Sequence, residues 1–239
     1  MMKLNSIAIV LGAGFGKRMG NTTLPKQFLS LSMKPILLIT MERISRANLF
    51  DKIILVINSD WHEYVLQILN NYSFNMSNID IIFGSKERIH SIENAISFLD
   101  KNYICNDSTI VVFDAVRPFI TKKLMFDALE SAKKFGVAVA GIPIKDTVYQ
   151  SKNNQEIDCI PRRDFLISGQ APDACKFNIL KRSIQELSEA EKSIVTGTAQ
   201  ICFLKGYSVY VFDGDERNIK ITTKTDYAVA KIIEREWQE

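Results

Sequence analysis

Through the first 143 residues, short apolar runs typical of buried strands alternate with segments that have helical periodicity. The apolar runs cover residues 6–11, 53–57, 79–83, 109–113 and 137–142. Helices are predicted over residues 36–48, 61–71, 87–99 and 121–135. This order predicts an α/β fold, in which a Rossmann-like, mostly parallel twisted sheet carries helices on both faces. Ligands of such sheets bind beyond the carboxyl ends of the strands, so the loops after Leu11, Phe83, Phe113 and Ile142 are expected to surround one crevice.

The remaining chain is compatible with a single domain over residues 1–239. Helices are predicted over 177–187 and 197–204, and a strand over 208–212. Thr223 begins a last helix with a capping box, and Tyr227, Ala230 and Ile233 lie on its inner face.

Bulk properties exclude several classes of protein. The net charge of +3 is too small to indicate nucleic-acid binding, and no apolar run reaches the length of a membrane span. The four cysteines, Cys105, Cys159, Cys175 and Cys202, form no metal-binding pair and are expected to be buried thiols. A cytoplasmic location is therefore expected.

A glycine-rich turn, Gly12-Ala13-Gly14-Phe15-Gly16-Lys17-Arg18-Met19-Gly20, directly follows the first predicted strand. Because glycine has no side chain, such a turn can bring backbone N–H groups against a phosphate. The turn is not a dinucleotide fingerprint, because Lys17 stands where that motif needs its last glycine. It is not a Walker loop either, because Arg18 stands where that motif needs Ser or Thr. An ordinary turn with surface cations is the alternative, but Arg18 together with Lys26 favours a polyphosphate site.

Two further polar segments follow predicted strands. A helix is predicted to begin at the segment Glu87-Arg88-Ile89-His90-Ser91. Its N-terminus either binds the edge of a nucleotide base or is a capped turn on the surface. Asp114 and Arg117 follow the strand over 109–113, where they form either part of a site or an ion pair that closes a loop.

Taken together, these motifs resemble the cytidylyltransferases that activate small polyol phosphates with CTP. The resemblance runs from Ala8 to Lys231 and includes G-A-G-x-G-K-R-M-G, P-K-Q-F, E-R-x-x-S, D-x-x-R-P and N-I-K-I-T-T. It implies transfer of CMP from CTP to a polyol phosphate with release of pyrophosphate. The run V-R-P-F-I-T is closer to the ribitol 5-phosphate branch (wall and capsule synthesis), which would make CDP-ribitol. The alternatives are the 2-C-methyl-D-erythritol 4-phosphate branch (isoprenoid synthesis) and a CTP-binding module without turnover.

The resemblance also implies roles for individual residues. Arg18, Lys26 and Lys220 would stabilise charge on the transferring group, and Mg²⁺ would bridge the triphosphate oxygens with Asp114 nearby and no direct protein cluster. Nucleotide binding is expected of Gly12, Ala13, Gly14, Gly16, Gly84, Arg88, Ser91 and Asp114, and acceptor binding of Arg117, Thr147 and Arg163. No general base is needed, because a phosphate monoester with a second pKa near ~6 is mostly a dianion at neutral pH.

The chain departs from the family pattern on the acceptor side. The run Gln170-Ala171-Pro172-Asp173 stands where the family has Gln-Thr-Pro-Gln, and Gly197 stands where it has Asp. A hydroxyl and a carboxylate are thereby lost, which indicates either a different acceptor or a weakened enzyme.

Residues 145–163 are predicted to form a protruding β-hairpin arm, with strands over 147–150 and 157–160 and a polar tip. Two strands alone cannot bury the apolar positions Val148, Ile157 and Ile160. A homodimer in which each arm lies on the neighbouring subunit is therefore expected. The resemblance adds that Arg163 would reach the partner subunit's acceptor site.

Overall fold

The computed structural model describes residues 1–14 and 24–237 of the chain. Its strands are β1 (Met2–Lys3), β2 (Ser6–Leu11), β3 (Ser30–Leu31), β4 (Lys34–Pro35), β5 (Lys52–Ile57), β6 (Ile79–Phe83), β7 (Tyr103–Ile104), β8 (Thr109–Asp114), β9 (Val137–Pro143), β10 (Ile167–Lys176) and β11 (Tyr210–Asp213). Its α-helices are α1 (Ile36–Ala47), α2 (His62–Asn71), α3 (Arg88–Asn102), α4 (Lys122–Phe135), α5 (Phe177–Gln185), α6 (Glu189–Ile194), α7 (Thr198–Leu204) and α8 (Lys224–Glu236).

Among the described residues, seven strands form one sheet in the order β11-β9-β10-β8-β2-β5-β6. The pairs β8–β2, β2–β5, β5–β6 and β9–β11 are parallel, whereas β10 is antiparallel to both β8 and β9. The predicted α/β fold with a mostly parallel sheet is confirmed.

Both faces of the sheet are covered by helices, as predicted. Along β2, Ala8 and Val10 pack in the cluster that includes residues of α1 and α4, whereas Ile7 and Ile9 pack in the cluster that includes residues of α3 and α5. Alternate side chains of a strand point to opposite faces of the sheet. Since helices cover both faces, all four side chains are fully buried.

Among the described strands of the seven-stranded sheet, β10 is the one that the sequence does not predict. Its Gly169 and Pro172 are typical of turns rather than of strands, and proline cannot donate to a ladder. The segment is nevertheless extended because β9 and β8 pair with it on its two sides. The register shifts between Gln170 and Asp173, which accommodates Ala171 and Pro172 within the strand.

The arm over residues 145–163 is not the predicted long hairpin. A single antiparallel bridge joins Gln150 and Cys159, and the tip is held by Asn153 Oδ1, which accepts from the N–H groups of Gln155 and Glu156. The physical reason is that a two-stranded ribbon without a surface to pack on is not stable as a regular ladder. The same lack of a packing surface led us to expect a partner subunit.

Most of the four cysteines agree with the sequence analysis. Cys105, Cys175 and Cys202 are buried free thiols, but Cys159 is exposed on the arm, so the expectation of burial was wrong there. Among the described helices, none combines the length and the apolar composition that crossing a membrane requires.

Candidate active site

A cavity of about 190 Å³ lies at the carboxyl edge of the sheet, where the loops after β2, β6 and β8 meet. It is lined by predicted site residues from distant parts of the chain, namely Gly12, Ala13, Gly14, Lys26, Arg88, Ser91, Asp114 and Lys220. Gly16 and Arg18 lie outside the described residues. The loop after Ile142 lines neither this cavity nor its neighbour, because β10 separates β9 from β8 and moves the end of β9 away.

The Gly12–Gly14 turn is held by Gln27, which is 3% exposed. The Gln27 Nε2 group donates to the carbonyl oxygens of Gly12 at 2.9 Å and Gly14 at 3.1 Å. Among the described residues, no acceptor takes the backbone N–H groups of Ala13 and Gly14. The turn therefore presents donors that suit a phosphate. The P-K-Q-F run by itself indicates no role for Gln27, because the carbonyl groups that it binds come close only in the fold.

Behind the cavity, the turn around Gly84 lies directly against the Gly12–Gly14 turn. A Cβ atom at position 84 would lie 2.7 Å from Ala13 Cβ and 2.8 Å from Ser91 Oγ, so only glycine allows this approach. Ser91 is buried, and its Oγ accepts from the Ser85 N–H group at 2.9 Å. Ser91 lies on the wall of the cavity, whereas Gly84 lies behind it. Both residues position the turn around Gly84 against the Gly12–Gly14 turn.

The Asp114 carboxylate is the electrostatic centre of the site. Its Oδ1 accepts from Arg88 Nη1 at 2.6 Å, and its Oδ2 accepts from Arg117 Nε at 3.2 Å and lies 3.1 Å from Lys220 Nζ. Burial acts to raise the pKa of Asp114, but the charges of Arg88, Lys220 and Arg117 outweigh it and hold the pKa well below its ordinary value. One carboxylate among three cations leaves a positive cluster that favours bound phosphates.

Arg117, which the sequence analysis assigned to the acceptor, also has a positioning role. Its Nη1 group donates to the Asn218 carbonyl at 2.6 Å, and Asn218 Nδ2 donates in turn to the Ala171 carbonyl at 2.7 Å. These bonds fix the segment that carries Lys220 between the end of β8 and the bulge of β10.

A second cavity of about 480 Å³ lies on the other side of this cluster and shares Arg88, Asp114 and Lys220 with the first. Its remaining lining residues are Arg117, Val139, Gly169, Gln170, Ala171, Asp173, Thr196, Gly197, Ala199 and Gln200. The family departures Ala171, Asp173 and Gly197 therefore all line one cavity. Two cavities that meet at one cationic cluster can hold two phosphate-bearing reactants whose phosphates meet there.

Thr147 and Arg163 are not brought to this site within one chain. Both are exposed and line neither cavity, and Arg163 Nη1 donates to the Lys145 carbonyl at 2.8 Å. Within a single chain the structure therefore gives no support to their predicted role in acceptor binding.

The expected Mg²⁺ has no protein-built site in the described part of the chain. No group of three or more His, Cys, Asp or Glu side chains lies together there. Both oxygens of Asp114 already contact cations, so this carboxylate does not fit the role of a direct metal ligand in this arrangement. The triphosphate oxygens of the nucleotide would have to supply the ligands.

The chain matches the family described as IspD, 2-C-methyl-D-erythritol 4-phosphate cytidylyltransferase, over residues 6–236. A 2-C-methyl-D-erythritol 4-phosphate cytidylyltransferase from Francisella tularensis is 27% identical, with a TM-score of 0.79 over 95% of this chain and 99% of that one. A 4-diphosphocytidyl-2C-methyl-D-erythritol synthase from Anaerococcus prevotii is 26% identical, with a TM-score of 0.79 over 97% of this chain and 96% of that one.

These matches bear on the acceptor as well as on the fold. The family and both structures are named for methylerythritol, so the expected preference for the ribitol branch has no support in them. The transferase chemistry that the motifs indicated is common to both branches. By its match over nearly the full length, the chain belongs to the IspD family of CTP-dependent cytidylyltransferases and is a nucleotidyltransferase.

Proposed function

We propose that this enzyme transfers CMP from CTP to 2-C-methyl-D-erythritol 4-phosphate and releases pyrophosphate, a step of isoprenoid synthesis. The observation that carries the proposal is the pair of cavities that share Arg88, Asp114 and Lys220. The family match favours methylerythritol over ribitol 5-phosphate as the acceptor. A cytoplasmic location belongs to the same proposal and agrees with four cysteines that are all free.

In this proposal the triphosphate of CTP binds along the Gly12–Gly14 turn and Lys26, and the acceptor phosphate enters from the second cavity. An oxygen of the acceptor phosphate forms a bond to the α-phosphorus. The bond from the α-phosphorus to the bridging oxygen breaks, and pyrophosphate leaves with the electron pair. Because the attacking oxygen is already ionised, the protein has to supply alignment and positive charge rather than a base. Lys220 and Arg88 line both cavities and meet that need.

Pyrophosphate release with CTP and a panel of acceptors tests this function. We expect methylerythritol phosphate to be the best acceptor, CTP to exceed ATP and GTP in competition, and EDTA to stop turnover. Faster release with ribitol 5-phosphate would move the assignment to the other branch. Release with none of the acceptors, combined with calorimetric binding of CTP, would indicate a binding module. Equal use of ATP would contradict the assignment to cytidylyl transfer.

We also propose that the enzyme is a homodimer in which each arm lies on the partner subunit. Three apolar side chains of the arm are more than half exposed in the single chain, namely Tyr149 at 56%, Ile157 at 55% and Ile160 at 60%, and Phe165 just beyond the arm is 74% exposed. A partner subunit could bury these side chains and would thereby provide the packing surface that the arm lacks within one chain. Arg163, which is outside both cavities of its own chain, would then reach the partner's acceptor cavity.

A subunit-mixing experiment separates this arrangement from action within one chain. Lys26→Ala and Arg163→Ala should each be nearly inactive, and mixing them should restore activity. One of the two sites in each mixed dimer would have both residues intact, so at most about half of wild-type activity can return. No recovery despite demonstrated subunit exchange, or a monomer at micromolar concentration, would contradict the proposal.

A further inference from the structure

The two ends of the second cavity differ in chemistry. The end that meets the first cavity carries Arg88 and Lys220, which line both cavities, and Arg117, which lines the second cavity alone of the two. The far end carries uncharged polar groups and one carboxyl group, that of Asp173. Such a polarised cavity suits an elongated ligand that is anionic at one end and hydroxylated at the other.

Most polar side chains at the far end are engaged with the protein itself. The Gln170 amide donates to the Asp215 carbonyl at 3.0 Å and accepts from the Asp215 N–H group at 3.2 Å. The Thr196 hydroxyl donates to Gln200 Oε1 at 3.1 Å, and Gln200 Nε2 donates to the Ile194 carbonyl.

Asp173 is different, because only one of its two oxygens is engaged. Its Oδ2 accepts from the Thr198 N–H group at 2.5 Å and the Ala199 N–H group at 3.2 Å, which fixes the side chain against the start of α7. Its Oδ1 accepts no hydrogen bond from any described residue. An acceptor with a spare lone pair, held rigidly in a cavity wall, suits the hydroxyl group of a ligand.

We propose that Asp173 is a specificity-determining residue, which accepts a hydrogen bond from a hydroxyl group of the polyol part of the acceptor. The inference rests on the proposed function and adds the group that reads the acceptor at the end opposite its phosphate. The carboxylate also repels a phosphate from the far end, so that the cations and Asp173 together fix one orientation of the acceptor in the cavity.

The charges in the cavity agree with a phosphate at the cationic end and a hydroxyl group at Asp173. Burial raises the pKa of Asp173, and the Arg88 charge opposes that rise. Asp114, held by its three cations, is not available to bind a hydroxyl in the same way.

The decisive measurement is the ratio of kcat/KM for methylerythritol phosphate to that for a simple alkyl phosphate that lacks hydroxyl groups. In Asp173→Asn the amide oxygen can still accept from Thr198, so the start of α7 is preserved. The amide nitrogen that then stands in place of Oδ1 can donate but cannot accept, so the charge-assisted hydrogen bond from the hydroxyl group is lost and the ratio should fall about 10-fold. The KM for CTP and the Tm should change little. Asp127→Asn on the exposed face of α4 is the matched control and should leave the ratio unchanged.

A second variant moves the carboxylate instead of removing it. A Cβ atom at Gly197 would lie 3.5 Å from Asp173 Oδ2 in ordinary contact, and Gly197 is the N-cap of α7, where aspartate is favoured. Asp173→Asn combined with Gly197→Asp should therefore regain part of the lost discrimination.

The outcomes distinguish this inference from the proposed function. An unchanged ratio in Asp173→Asn, or an equal loss with both acceptors, would overturn the role of Asp173 while cytidylyl transfer by the unmodified enzyme stands. No pyrophosphate release by the unmodified enzyme with any polyol phosphate would overturn both.

Discussion

Asp114→Asn should lower kcat/KM by about 10²- to 10³-fold, because the carboxylate holds three cations that the proposed mechanism needs in place. In the structure Arg88, Arg117 and Lys220 all contact its oxygens, and its side chain is only 7% exposed. Without the negative charge the three cations repel one another and lose their common partner. Steady-state kinetics with CTP and the acceptor measures the loss.

The same substitution should also lower stability. Removing one partner of a buried ion pair costs about 3–5 kcal/mol, and we expect a value toward the lower limit, since the three cations remain partly exposed to water. Denaturant unfolding measures this change in the free energy of unfolding.

The pH dependence of stability provides an independent check. The folded-state pKa of Asp114 lies below its ordinary value, so its contribution is fully present above the unfolded-state pKa of about 4. That contribution is lost as the pH falls from there toward the folded-state pKa. The unfolding free energy of Asp114→Asn should therefore fall less steeply than that of the wild type over the acidic range.

Asp127→Asn is the matched control for these measurements. Its carboxylate pairs with Lys123 on an exposed helix face, where ion pairs contribute about 0–1 kcal/mol. Equal effects of the Asp114 and Asp127 substitutions on activity and stability would contradict the role of the buried cluster.

Lys220→Met should lower kcat by about 10²- to 10³-fold, with a smaller change in the KM for CTP. Lys220 lines both cavities, and its Nζ lies 3.1 Å from Asp114 Oδ2. In the proposed mechanism a cation at this junction contacts the group in transfer, so its effect should be concentrated in the transition state. Single-turnover kinetics separates this step from nucleotide binding.

Lys224→Met provides the comparison, since Lys224 is exposed at the first turn of α8 and lines neither cavity. This variant should retain wild-type kcat. A Lys220 variant with near-normal kcat would remove Lys220 from the mechanism.

Local signals predicted the regular elements closely. The five strands of the first half agree with the structure to within a residue at each end, because buried parallel strands are continuous apolar runs. Thr121 and Thr223 begin their helices as expected, and each side chain accepts from the backbone N–H group three residues later. Such caps are local, so the sequence contains all the information that they need.

The candidate site was predicted in part for a similar reason. Parallel strands end at one edge, so the loops after β2, β6 and β8 had to meet there. The sequence could not predict the loop after β9 correctly, because an antiparallel strand with poor strand propensity lies between β9 and β8. That strand is stabilised by pairing on both sides rather than by its own residues.

By itself, the sequence determined the fold class, the glycine-rich turn and the residue types of a phosphate-binding site, since these depend on periodicity and on motifs of adjacent residues. Only the tertiary structure decided which groups act together. Gln27 bonds to the Gly12–Gly14 turn, Lys220 contacts Asp114, and Asp173 of β10 lines the second cavity and accepts from the start of α7. The physical reason is that these contacts join residues far apart in the chain, and their geometry is set by sheet order and packing rather than by local preference.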